Sequence, residues 1–100
     1  YGEQRRISGS ARVSLKRRIY ARDSGRCCMC NRVVDLTDSE LDHRIALQFG
    51  GDNSEHNLWT LCTECHAGKS AREAATGQPD EQALKHKVHD GDQESGFVGL

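Results

Sequence analysis

Two Cys-x-x-Cys pairs, Cys27 with Cys30 and Cys62 with Cys65, constrain this chain more than any other feature. Each pair forms a tight turn that presents two thiolates to one ion, and four thiolates in tetrahedral array are a structural zinc site. The 31 residues between the pairs exceed the usual zinc-ribbon spacing. A hairpin inserted between them accounts for the excess, because loop-closure entropy grows by only ~0.6 kcal/mol per doubling of length. The fifth cysteine, Cys28, has a poorer bite with Cys30 and reads as a bystander. Hydrophobic residues make up 35% of a 100-residue chain, so the core is small. A domain of this size relies on a metal or a similar staple for stability. Paired thiols of this kind point to metal binding in a reducing compartment, not to a disulfide framework.

Charge is segregated. Residues 1–26 carry eight Lys/Arg and two acids, residues 27–69 three against seven, and residues 70–100 three against six, so the net charge of −1 conceals a basic arm on an acidic body. That pattern suits a phosphate-binding protein with a carboxylate metal site, and on charge alone it suits a solvated helix face equally well.

In chain order, residues 1–9 lack periodicity and are expected to be mobile. A helix is predicted from an N-cap at Ser10 to a stop at Gly25, with Leu15 and Ile19 on one face and Lys16, Arg17, Arg18 and Arg22 spread around the rest. Val33, Val34 and Leu36 are short and β-prone, and 37–40 is a polar connection. Alternation over Leu41–Leu47 predicts a strand with Leu41, His43, Ile45 and Leu47 on one side. Phe49 to Asn53 is a turn, and Asn57–Leu61 a second strand, giving a hairpin with a long loop. A helix capped by Thr63 runs through His66, Lys69, Arg72 and Ala75 to Gly77. A weak helix over Asp80–His89 and disorder over 90–100 complete the reading. The expected divisions are a basic arm and helix (1–24), a zinc-stapled domain (25–77) and a C-terminal tail (78–100).

Between the cysteine pairs lies a second set of polar residues. Asp42 and His43 sit on the first strand, Asn57 begins the next, and His66 lies in the first turn of the helix. A hard divalent cation, Mg2+ or Mn2+, takes carboxylate oxygen and keeps open positions. Asp42 and His66 would hold it. Imidazole, with a reference pKa of ~6.5, suits general-base work near neutral pH, and His43 would take a proton from the attacking water. Consecutive helical residues diverge by ~100°, so Cys65 can face zinc while His66 faces the second ion. Adjacent strand residues face opposite ways, however. For Asp42 and His43 to serve one site, a bulge or strand end is required there.

These residues resemble the HNH endonucleases of the ββα-metal fold. The resemblance covers roughly residues 12–76. It rests on Asp42-His43 with Ile45 and Leu47, on Gly50-Gly51, on Asn57-Leu58-Trp59 with Leu61-Cys62, and on Cys65-His66 with Lys69. The preceding helix, Gly25 and Cys27/Cys30 are similar to the cysteine-flanked branch found in phage and bacteria. The resemblance implies a small α+β ββα-metal domain with a structural Zn2+ and a catalytic Mg2+ or Mn2+, acting as a DNA endonuclease. In it His43 is the base, Asp42 and His66 bind the catalytic ion, and Asn57 fixes the hairpin that aims His43. Arg17, Arg18, Arg22, Arg44 and Lys69 are the expected nucleic-acid contacts, though Lys69 reads equally well as a plain surface lysine and Arg44 could simply pair with an acid. Trp59 reads as core, and His56, His86 and His89 as surface. The expected partner is double-stranded DNA, nicked with weak sequence preference by a monomer or weak dimer. A non-catalytic zinc-ribbon module is the alternative, and an RNase shares the chemistry. No apolar run approaches membrane-spanning length and none has signal-peptide form, so a cytoplasmic location without membrane contact is expected.

Overall fold

A computed structural model describes residues 7–88. The expectations for residues 1–6, for His89 and for disorder over 90–100 lie outside the described residues. The order of elements is helix α1 (Gly9–Arg22), strand β1 (Ser39–His43), strand β2 (Leu58–Cys62), helix α2 (Thr63–Thr76) and a short helix α3 (Glu81–Leu84). The two strands pair antiparallel from Ser39 opposite Cys62 to His43 opposite Leu58. Helix, hairpin and helix therefore follow the small α+β plan expected.

β2 is the centre of the molecule, because all five of its residues are buried. Strand alternation sends Leu58 to one side, where it packs with Ile19, Leu41 and the partly buried Leu15. Trp59 and Leu61 pack on Cys27, Cys62 and Ala83. The narrow stripe of α1, Leu15 and Ile19, thus has the use its spacing predicts, and Trp59 is core. Asp23 fastens the end of α1 to the sheet. Its carboxylate is buried, accepts the Thr60 backbone N–H at 2.9 Å and pairs with Arg22 at 3.0 Å.

Several boundaries differ from expectation. α1 starts two residues earlier, after an extended Ser8 that makes no side-chain cap. Ser39 and Glu40, expected in a connection, open β1. β1 stops at His43, and the residues expected to prolong it enter a loop with one 3-10 turn, Leu47–Phe49. Another such turn occupies Leu36–Asp38, while Val33 forms only an isolated bridge with Arg26. The C-terminal segment folds back on the body. α3 is N-capped by Asp80, and Ala83 and Val88 join the core.

Candidate active site

The two cysteine turns bring Cys27, Cys30, Cys62 and Cys65 together, with all four sulfurs within 4.8 Å of one another. Cys30 Sγ and Cys62 Sγ lie 3.9 Å apart. Four Zn–S bonds of ~2.3 Å in a tetrahedron put sulfurs about 3.8 Å apart, so the cluster is compatible with structural zinc. Backbone N–H groups of Met29 and Cys30 donate to Cys27 Sγ, each at 3.4 Å. Burial opposes ionisation of Cys27, but N–H donors from Cys30, Cys62 and Met29 outweigh it and lower the thiol to about 7. Burial and the neighbouring thiols raise Cys30 and Cys65. Crowded thiols of this kind ionise together only around a cation. Cys28 is outside the cluster. Burial and the nearby Asp23 carboxylate push it up to about 12, which suits a neutral bystander.

The cluster sets the start of α2. Cys62, not the predicted Thr63, is its N-cap, and the Cys62 sulfur accepts the Cys65 N–H at 3.3 Å. One turn in, His66 faces a cleft of about 420 Å³ lined by Asp42, His43, His66, Lys69, Ser70 and Glu73 among others. Asp42 and His43 share this cleft because β1 ends at His43, the strand end that the sequence requires.

Asp42 is held on one side and open on the other. Its cross-strand partner Trp59 donates Nε1–H to Oδ2 at 2.9 Å, and Lys69 Nζ reaches the same oxygen at 3.0 Å. Oδ1 lies 3.5 Å from His66 Nε2. Two donors at that separation, less than twice a ~2.1 Å metal–oxygen bond, can bind one small divalent ion. The donor set, one carboxylate oxygen and one imidazole nitrogen beside an open cleft, fits magnesium or manganese.

His43 meets Asn53 through Nε2 and Oδ1 at 2.7 Å. Asn57 holds the loop between the strands. Its Oδ1 accepts the Ile45 N–H at 3.0 Å, and its Nδ2 donates to Ile45 O and Asp52 O, both at 2.9 Å. Gly51 lies against this clamp. A Cβ there would meet Ile45 O at 1.8 Å, so no other residue fits without breaking it.

The five cations expected to meet nucleic acid divide. Arg17 is exposed, and Arg18 is exposed and paired with Glu55 at 2.7 Å. Arg22 is instead internal, donating to the carbonyls of Glu55 and Leu58 at 2.7 Å. Arg44 is drawn to α3, where it donates to the carbonyls of Ala83, Leu84 and His86. Helix ends leave carbonyls such as that of Leu84 without intrahelical partners, and Arg44 supplies one there. Lys69 is neither at the surface nor turned to solvent. It is 2% exposed and bonds Asp42, Glu73 at 2.7 Å and His43 O at 2.9 Å. Asn53 and Glu73 escaped the sequence reading, which set Lys69 beside His66 as a phosphate contact and not as a buried partner of Asp42 and Glu73. The three-residue spacing of His66 and Lys69 on one helix face was the signal for Lys69.

Among the described residues no helix is long and apolar enough to cross a membrane. Residues 27–72 match the family model described as HNH endonuclease. No curated protein matches the chain.

Proposed function

We propose that this protein, whose residues 27–72 match the family model described as HNH endonuclease, hydrolyses phosphodiester bonds of DNA with a divalent ion held by Asp42 and His66. The observation that carries the reading is the convergence of Asp42, His43 and His66 on one open cleft. A zinc-stapled binding module needs the four cysteines but has no use for that trio.

In the proposed reaction a water oxygen bonds to phosphorus in line with the departing sugar oxygen. The neutral His43 imidazole accepts the water proton, the P–O bond to the sugar breaks, and the sugar oxygen takes a proton from solvent. A bound magnesium or manganese ion would screen the non-bridging oxygens and stabilise the departing oxygen. The protein's part is positioning. Trp59 and Lys69 fix Oδ2 of Asp42 so that Oδ1 faces His66, and Asn57 fixes the loop beside His43. Zinc at the four cysteines sets the origin of the helix that carries His66.

One cleft cuts one strand, so supercoiled plasmid should pass first to open circles in magnesium or manganese, with linear DNA appearing later. His43→Ala should abolish both products, and RNA of matched sequence should be cut poorly. Near-normal turnover by His43→Ala would overturn the role of the base. Wild-type protein that binds DNA but leaves it uncut in either metal would favour the non-catalytic module.

A further inference from the structure

We infer that Asn53 is a positioning residue: its side-chain carbonyl holds the His43 imidazole in one tautomer and one orientation, so that Nδ1 is the atom that accepts the proton. The inference rests on the reading of His43 as the base.

His43 is the last residue of β1. Pairing with β2 fixes its backbone, but the ring torsion of a histidine is broad and roughly two-fold. A base in this position needs a second anchor. Asn53 Oδ1, 2.7 Å from His43 Nε2, is an acceptor only. The nitrogen facing it must therefore carry hydrogen, and a neutral ring then keeps its lone pair on Nδ1. In histidine chemistry, the bond made by one ring nitrogen sets what the other can do.

The anchor is itself anchored. Asn57 donates to Asp52 O, the peptide just before Asn53. Asp52 in turn accepts the N–H and hydroxyl of Ser54 at 3.1 and 2.8 Å. Asn53 thus sits between two residues whose places are fixed, in a loop whose near side is the Ile45–Gly51 contact. The Asn57 clamp and the Asn53 contact form one chain of support that ends at the ring of His43. An amide suits this task because it orients the ring without adding charge next to Asp42.

The test uses the zinc-loaded 100-residue chain and three variants, Asn53→Ala, Asn53→Asp and His43→Ala. Long-range proton–nitrogen NMR of the histidine rings, at a pH where they are neutral, should show wild-type His43 protonated at Nε2. Asn53→Ala should give a mixture of tautomers, and Asn53→Asp, which keeps an acceptor oxygen, should restore the Nε2–H form. On plasmid, Asn53→Ala should lower kcat by roughly 10–100-fold, as loss of a residue supporting a catalytic group does. KM and zinc content should be unchanged, and Asn53→Asp should recover most of the rate. A wild-type ring protonated at Nδ1, or an Asn53→Ala variant with unaltered tautomer or unaltered kcat, would overturn the inference. Turnover surviving in His43→Ala would overturn the base assignment instead, while the tautomer measurement stands apart from it.

Discussion

Lys69 is the residue on which the cleft depends most. Its ammonium has three donors, and they go to Asp42, Glu73 and the His43 carbonyl. A buried cation between two carboxylates fixes both, and it leaves the group one net negative charge with which to attract a metal ion. Removing one partner of a buried ion pair costs about 3–5 kcal/mol, mainly because the other charges are left uncompensated. Lys69→Met should lower the unfolding free energy measured by urea titration by an amount in that range. The spacing from His66 correctly put Lys69 on the same face of the helix. What spacing cannot convey is that this face turns inward onto acids from another strand and another helical turn. Asp42 and His66, the proposed metal ligands, should fail differently. Asp42→Ala and His66→Ala should lose cleavage through weaker binding of manganese in titrations, with part of the rate returning at high metal concentration. His43→Ala should be inactive with its manganese affinity and zinc content intact.

At the scale of elements, the loop between the strands explains why β1 looks longer in the sequence than it is. Leu41, His43, Ile45 and Leu47 alternate as a strand should, and the ladder still stops at His43. Beyond it the backbone of Ile45 bonds to the side chain of Asn57 through both its N–H and its carbonyl. After one more backbone bond, Arg44 N–H to Asn57 O at 2.8 Å, an amide side chain thus takes the place of the next rung, and no periodicity in apolar residues records that substitution. Gly51 is required by the same clamp. Gly51→Ala should cut cleavage at least tenfold, with zinc retained and the plasmid assay as the readout. The cysteine turns, in contrast, were fully legible, because metal ligands repeat at a spacing set by coordination geometry. α3 was legible as a weak helix only. Its anchoring by Arg72–Asp80 at 2.6 Å and by Arg44 is long-range. The Arg72 guanidinium holds the Asp80 carboxyl below its usual range. Asp80→Ala, which removes this pair and the N-cap together, should cost about 1–2 kcal/mol in thermal or urea unfolding.

For the whole molecule, the four-cysteine cluster takes the place of the large core that 100 residues of this composition cannot build. Metal binding in zinc-finger peptides supplies ~10–16 kcal/mol of apparent folding free energy. A strong chelator, or Ser in place of Cys27, Cys30, Cys62 or Cys65, should therefore abolish the cooperative unfolding transition seen by circular dichroism. Cys28→Ser should leave it nearly unchanged. Cys62 sits where the two halves of the architecture meet: it closes β2, gives its sulfur to the cluster and caps α2 with that same atom. The molecule consequently has an order of maturation written into it. A chain with unmetallated thiols would lack this fixed origin for α2, and with it the settled place of His66 opposite Asp42. On the proposed function, magnesium or manganese would find its two donors in place only after zinc has bound. On that reading, zinc loading would then precede any cleavage of DNA.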